Sequence, residues 1–125
     1  MTVFSYPKRE KLKSKKAIQA LFSEGKSVSV FPLKLIYLKT QLPENVSVQC
    51  GVAVPKKNFK NAVKRNRIKR LMREAYRLNK ALVFNNTEAK FAFLILYLGK
   101  DMPSFQGLAP KMKLLLDKFN TLPHE

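Results

Sequence analysis

The sequence predicts a small α+β domain, an α/β sandwich whose elements follow the order α-β-β-β-α-β-α. Three observations support this fold class. A chain of 125 residues with 46% hydrophobic residues can build one core and little more. Strands are indicated by a strict two-residue alternation over Val46–Pro55 and by an apolar run over Phe91–Leu98. Between these segments, apolar residues recur at the spacing of a helix. Residues 1–125 are therefore predicted to form a single domain.

The chain is predicted to begin with a basic arm followed by a helix. Residues 1–13 are basic and irregular, so we expect a flexible N-terminal arm. Ser14 is a suitable N-cap for a helix over Lys15–Ser23, and Gly25 is a suitable stop.

Three strand segments are predicted next. Val28–Phe31 is a short β-like segment that Pro32 interrupts. Leu33–Lys39 is predicted to be a strand, in which successive side chains point to opposite faces of the sheet. The first face holds Leu33, Leu35 and Tyr37, and the second holds Lys34, Ile36 and Leu38. Gln41–Asn45 is predicted to be a hairpin connection to the strand Val46–Pro55.

Residues 56–77 give the strongest functional signal. Ten of these twenty-two residues are Lys or Arg, and only Glu74 is acidic. We predict a helix from Asn58 or Asn61 to about Asn79. Its apolar side consists of Ile68, Leu71, Met72 and Ala75, and its opposite side of Asn66, Lys69, Arg70, Arg73 and Arg77. Because like charges four residues apart repel, this row favours a polyanionic partner.

The last third of the chain completes the fold. A turn is predicted at Asn85–Thr87, a central strand at Phe91–Leu98, and a helix over Leu108–Phe119 with Pro110 near its first turn. The basic helix would connect the strands Val46–Pro55 and Phe91–Leu98 as a β-α-β unit. The general rule for such units predicts a right-handed crossover.

The composition restricts the partners. Twenty-five basic and eight acidic residues give a formal net charge of +17, which favours nucleic acid or an anionic membrane. Phe91–Leu98 is too short to span a bilayer, which needs about 20 residues. The single Cys50 can form neither an internal disulfide nor a zinc site. The N-terminus has no apolar secretory segment, so we expect a cytoplasmic protein without a membrane partner.

The titratable residues argue against independent catalysis. The eight acids are scattered along the chain, and the one histidine is His124. General acid–base catalysis needs a positioned group that titrates near neutral pH, or a metal held by carboxylates. A self-sufficient nuclease is therefore not expected.

One longer motif resembles a known family. Asn61–Arg70 reads Asn-Ala-Val-Lys-Arg-Asn-Arg-Ile-Lys-Arg, and it follows the strand Val46–Pro55, the lysine pair Lys56–Lys57 and a short loop. This strand–loop–helix pattern is similar, without a gap, to the signature of the bacterial ribonuclease P protein subunit. The resemblance extends over most of the chain, including Leu21–Phe22 and the turn Gly25–Ser27.

The resemblance implies a function for the positive charge. Proteins of this family bind the catalytic RNA of ribonuclease P and the 5′ leader of precursor tRNA, and the holoenzyme removes that leader. The RNA carries out the hydrolysis with magnesium ions that it mainly binds itself. The family thus implies no metal on the protein alone and no obligate protein partner. It also implies a left-handed β-α-β crossover, as in a ribosomal-protein-like fold.

The resemblance and the charge pattern together predict two sites. The predicted RNA-binding residues are Lys56, Lys57, Lys60, Arg65, Asn66, Arg67, Lys69, Arg70, Arg73 and Arg77. The second site is a leader cleft between the first helix and the sheet, with Ile18, Phe22, Lys34 and Ile36. Isoleucines stand where the family often has Phe and Tyr, so the cleft is expected to be mainly apolar and weakly base-selective. Core packing is the alternative for Ile18, Phe22 and Ile36.

Two alternative functions fit the composition equally well. A structural protein of the ribosome would be as small and as basic, without any role in cleavage. A DNA-binding module could read the major groove with Asn66 and Arg70.

Salt dependence should reveal the phosphate contacts. If roughly six to ten cations neutralise phosphates, affinity for RNA should fall by roughly 10³–10⁵ between about 50 and 200 mM salt, with a shallower slope on single strands. Fluorescence anisotropy with labelled RNA measures this dependence. A flat salt response would contradict the electrostatic mechanism.

Overall fold

The computed structural model describes residues 10–42, 46–81 and 89–122. Its elements are α1 (Lys15–Glu24), β1 (Lys26–Val30), β2 (Leu33–Lys39), β3 (Val48–Ala53), α2 (Ala62–Asn79), β4 (Phe91–Tyr97) and α3 (Phe105–Asn120). This order confirms the predicted α-β-β-β-α-β-α arrangement. The predicted turn at Asn85–Thr87 lies outside the described residues.

The four strands form one sheet in the order β1-β2-β4-β3. β4 pairs antiparallel with β2 and parallel with β3, so it is the interior strand that its apolar run predicted. The predicted hairpin between β2 and β3 is wrong, because β4 lies between these strands. Alternation within a strand gives its two faces but not its neighbours. The hairpin instead joins β1 to β2 around a cis Phe31–Pro32 peptide bond.

One face of the sheet packs against α2 and α3. Leu33, Leu35 and Tyr37 point to this side, as the alternation predicted. Phe119 of α3 lies at the centre of an aromatic cluster, with ring centroids 5.0 Å from Tyr37 and 4.8 Å from Phe93. These edge-on contacts add to the apolar burial that holds α3 on the sheet.

The other face of the sheet packs against α1. Ile36 and Leu94 of the sheet are buried there with Leu21 of α1 and with Leu12. α1 begins where Ser14 Oγ accepts a hydrogen bond from the Ala17 amide at 3.3 Å. This cap confirms the predicted start of the helix.

Gly25 ends α1, as predicted, but close packing is the reason for a glycine here. Its φ of −70° is one that any residue can adopt. A Cβ atom at this position would lie 2.4 Å from the Leu21 carbonyl oxygen and 2.9 Å from Cγ2 of Ile36. Only a residue without a side chain lets the chain turn so closely from α1 into β1.

The caps also fix the starts of α2 and α3. Asn61 Oδ1 accepts hydrogen bonds from the amides of Val63 (2.8 Å) and Lys64 (3.3 Å). Ser104 caps α3 through the Gly107 amide at 3.1 Å, so this helix begins three residues before the predicted Leu108. Pro110 consequently lies inside α3 rather than near its first turn.

Residues 10–12 are packed, which corrects the prediction of an arm over residues 1–13 for this part of it. Leu12 is buried, and its amide donates to the Cys50 carbonyl oxygen at 3.0 Å along the edge of β3. The Glu10 carboxylate forms a buried ion pair with Lys80, just beyond α2. Residues 1–9 of the predicted arm lie outside the described residues.

Removing one partner of this ion pair should destabilise the fold. The side chains of Lys80 and Glu10 are only 2% and 6% exposed, so Lys80→Met would leave a buried carboxylate without its counter-charge. We expect a loss of about 3–5 kcal/mol in the free energy of unfolding by urea denaturation. The double variant Glu10→Leu/Lys80→Met should recover most of it. A loss below about 1 kcal/mol for Lys80→Met would contradict the importance of the pair.

Candidate nucleic-acid interface

α2 is amphipathic, as its spacing predicted. Ile68, Met72, Ala75 and Tyr76 are fully buried, and Leu71 is partly buried against the same core. The opposite side presents Asn66, Arg70 and Arg73 to solvent, with Lys69 half-buried beside them and Arg67 exposed at the flank. The buried side fixes the helix, so these charges have a fixed arrangement on the surface.

Arg77 is the exception in the predicted row of cations. Its guanidinium pairs with Glu74, at 2.5 Å from Nη2 to Oε1 and 3.2 Å from Nε to Oε2. These hydrogen bonds hold the pKa of the Glu74 carboxyl below its ordinary value. Arg77 therefore offers less uncompensated charge than Arg70 or Arg73. The three-residue spacing from Glu74 to Arg77 could have indicated this pair from the sequence.

Arg65 lies toward the core side of α2, away from the exposed row of Asn66, Arg70 and Arg73. Its Nη1 donates hydrogen bonds to the carbonyl oxygens of Phe59 (2.7 Å) and Lys60 (2.9 Å). Arg65 precedes the buried Ile68 by three residues, which turns it toward the core side of the helix. It therefore holds the preceding loop against α2, a structural role that the motif alone did not reveal.

The loop before α2 presents three lysines from an anchored backbone. Phe59 is buried with its ring centroid 6.1 Å from that of Tyr97, and Asn58 Nδ2 donates to the Leu98 carbonyl oxygen at 3.5 Å. The lysines are exposed, as predicted: Lys56, Lys57 and Lys60. This group of residues 56–60 is called the lysine loop below.

A cleft opens between the N-terminal segment, α1 and the edge of the sheet. A cavity of about 180 Å³ lies in it, lined by Lys11, Leu12, Lys13, Ile18, Cys50, Gly51, Val52, Arg73 and Leu94. Three of these residues are cationic, and none of the described lining residues is acidic. Arg73 belongs both to this cleft and to the exposed side of α2, so positive charge is continuous between the two surfaces.

The four predicted cleft residues lie in different environments. Ile18 lines the cavity. Phe22 is 62% exposed, which excludes core packing for it. Ile36 is buried beneath α1, as the core-packing alternative predicted, and it does not line this cavity. Lys34 is half-buried on the α1 side of the sheet, beside Leu96 and away from the cavity.

The sequence reading missed Gly51 as a lining residue of the cleft. Gly51 stands in phase with Ser47, Gln49 and Ala53 on the side of β3 that faces α1, and its missing side chain was its only signal in the sequence. A small residue at an edge strand often marks close approach of a ligand or of another backbone.

The described residues also bear on two other classes of site, membrane-spanning and metal-binding. Within residues 10–42, 46–81 and 89–122, no helix is long and apolar enough to cross a bilayer. Over the same residues, no three His, Cys, Asp or Glu side chains are grouped so that they could hold a metal ion.

The two arginines should respond differently to truncation. Arg70→Ala removes a solvent-exposed charge, so it should weaken RNA binding and reduce the slope of log affinity against log salt by about one, without changing thermal stability. Arg65→Ala should also lower the free energy of unfolding by about 1 kcal/mol for each lost hydrogen bond. Lys113→Ala, an exposed cation on α3, is the matched control. Equal melting temperatures for Arg65→Ala and wild type would contradict the structural role.

Solved structures share this fold. The ribonuclease P protein of Staphylococcus aureus superposes with a TM-score of 0.70 at 20% identity, covering 88% of this chain and 94% of that one. The ribonuclease P protein of Thermotoga maritima gives a TM-score of 0.70 at 24% identity, covering 87% of this chain and 96% of that one.

Sequence relatives extend the similarity beyond the fold. The ribonuclease P protein component of Porphyromonas gingivalis is 36% identical over 115 residues, which is 88% of this chain and 82% of the relative. That of Chlorobium phaeobacteroides is 39% identical over 127 residues, which is 91% of this chain and 87% of the relative. The family model for ribonuclease P matches residues 6–120. With its amphipathic basic helix in the expected setting, the chain belongs to the ribonuclease P protein family.

Proposed function

We propose that this protein is the protein subunit of ribonuclease P, which binds the catalytic RNA and the 5′ leader of precursor tRNA and assists endonucleolytic removal of the leader. The main support is the exposed side of α2, where Asn66, Arg70 and Arg73 are fixed by a buried opposite side. Such an array neutralises phosphates without reorganising, and phosphate contacts set the register of a protein on its RNA.

The chemistry is assigned to the RNA in this proposal. The chain offers one histidine and eight scattered acids, which is little material for positioned acid–base catalysis. The protein would act as an accessory subunit that is not catalytic alone, and the magnesium ions of the reaction would be bound mainly by the RNA. Its own contribution would be positioning and charge neutralisation, which lower the magnesium concentration that folding and substrate binding require.

The two surfaces suggest a division of labour. The exposed side of α2 and the lysine loop would contact the catalytic RNA, and the cleft lined by Ile18 would guide the single-stranded leader. Arg73 belongs to both surfaces and would contact phosphates where leader and catalytic RNA approach each other. Phe22 is exposed beside the cleft and can stack on a base.

Recognition of the leader should depend weakly on its sequence. Lys11, Lys13 and Arg73 can neutralise phosphates, which carry no sequence information, and Ile18 offers only an apolar contact. Because precursor tRNA is made in the bacterial cytoplasm, we also propose that the protein acts there.

Reconstituted cleavage tests the proposal. Purified protein is mixed with a ribonuclease P RNA and 5′-labelled precursor tRNA at low magnesium, and release of the leader is followed by gel electrophoresis. We expect the protein to increase the cleavage rate, and Arg73→Ala to remove most of that increase, while Lys113→Ala retains it. Unchanged cleavage on addition of wild-type protein would overturn the proposal and favour a structural role in the ribosome.

A further inference from the structure

Several loops meet at the end of the sheet where the parallel strands β3 and β4 both finish. The lysine loop follows β3, and residues 98–101 follow β4. β2 runs antiparallel to β4 with Leu33 opposite Tyr97, which brings the turn at Phe31–Pro32 to the same end. Ligands in α/β proteins commonly bind outside the carboxyl ends of parallel strands.

A cavity of about 410 Å³ lies at this end of the sheet. It is lined by Phe31, Pro32, Tyr97, Leu98, Gly99, Lys100 and Asp101. Its volume lies in the range of small-molecule pockets, and its lining is mostly apolar. Phe31 is 73% exposed, so its ring is available at the cavity rather than used in the core.

The wall of this cavity is held in a defined geometry. The Tyr97 hydroxyl donates to the Asp101 backbone oxygen at 2.6 Å, and burial raises the pKa of this phenol above its ordinary value. Gly99 packs against the same ring, since a Cβ there would lie 2.5 Å from the Tyr97 oxygen. The site is therefore formed before any ligand arrives.

The residues that line the cavity contact the lysine loop. Asn58 of the lysine loop donates to Leu98, and Phe59 contacts the ring of Tyr97. Lys100 is exposed at the cavity itself, and Asp101 is the one acid among the described lining residues. An aromatic ring flanked by cations is the arrangement with which proteins bind unpaired nucleotides.

We propose that an unpaired nucleotide of the catalytic RNA binds in this cavity, with its base stacked on Phe31 and its phosphate beside Lys100. The inference rests on the proposed function. Tyr97 belongs to the α2–α3 side of the sheet, the side of the lysine loop, whereas the Ile18 cleft lies on the α1 side. This separation assigns the nucleotide to the catalytic RNA rather than to the leader.

Substitutions at Phe31 test the stacking contact. Phe31→Ala should weaken binding of the protein to ribonuclease P RNA by about 5- to 150-fold, the range for loss of one stacked base. Phe31→Trp should retain wild-type affinity, and Phe31→Leu, which keeps apolar volume without an aromatic face, should behave like Phe31→Ala. Leu114→Ala, which truncates another exposed apolar side chain (52% exposed, on α3), is the control and should bind normally.

Crosslinking identifies the source of the nucleotide. The only native thiol is that of buried Cys50, so Phe31→Cys provides a single exposed site for a photoreactive label. We expect crosslinks in the holoenzyme to one single-stranded position of the catalytic RNA. Crosslinks to the leader alone, or an affinity of Phe31→Ala for the catalytic RNA within twofold of wild type, would overturn the inference. Wild-type protein that fails to bind this RNA would instead overturn the proposed function.

Discussion

The fold and the basic surface both depend on the burial of one side of α2. Ile68 and Met72 lose all contact with water between the sheet and α3, and apolar burial of this kind contributes roughly 1.5–3 kcal/mol for each side chain. The burial of these side chains keeps α2 in place although the cations on its exposed side repel one another. The same burial orients Arg70 and Arg73 outward, so the hydrophobic core determines the geometry of the charges.

Local patterns in the sequence were sufficient for most of the elements. The alternation of Leu33–Lys39 predicted β2 and both of its faces, because successive side chains of a strand point to opposite faces of the sheet. Ser14 and Asn61 marked the starts of α1 and α2, since their side chains satisfy amides that the helices leave unpaired. The exposed side of α2 followed from the helical period alone.

What the sequence could not give were relations between distant segments. The pairing of β4 between β2 and β3 depends on the whole sheet, and the handedness of the crossover stays a prediction. Ile36 was assigned to the cleft through the family resemblance, and the strand pattern could not show its burial, because alternation distinguishes the two faces of a sheet but not the part that a helix covers. The structural role of Arg65 could not be predicted from its motif either. Its hydrogen-bond partners are backbone carbonyl groups of the loop, and because every residue has such a group, they leave no signal in the sequence.

The segment of residues 10–13, which precedes α1, joins distant parts of the molecule. Glu10 connects it to Lys80 beyond the end of α2, and Leu12 connects it to the edge of β3 at Cys50. The segment also forms one wall of the cleft lined by Ile18. Widening that cleft at Leu12 would require separating two charges inside the protein and breaking a backbone hydrogen bond. The width of this cleft is thus set by the folded chain itself, through contacts in which no nucleic acid takes part.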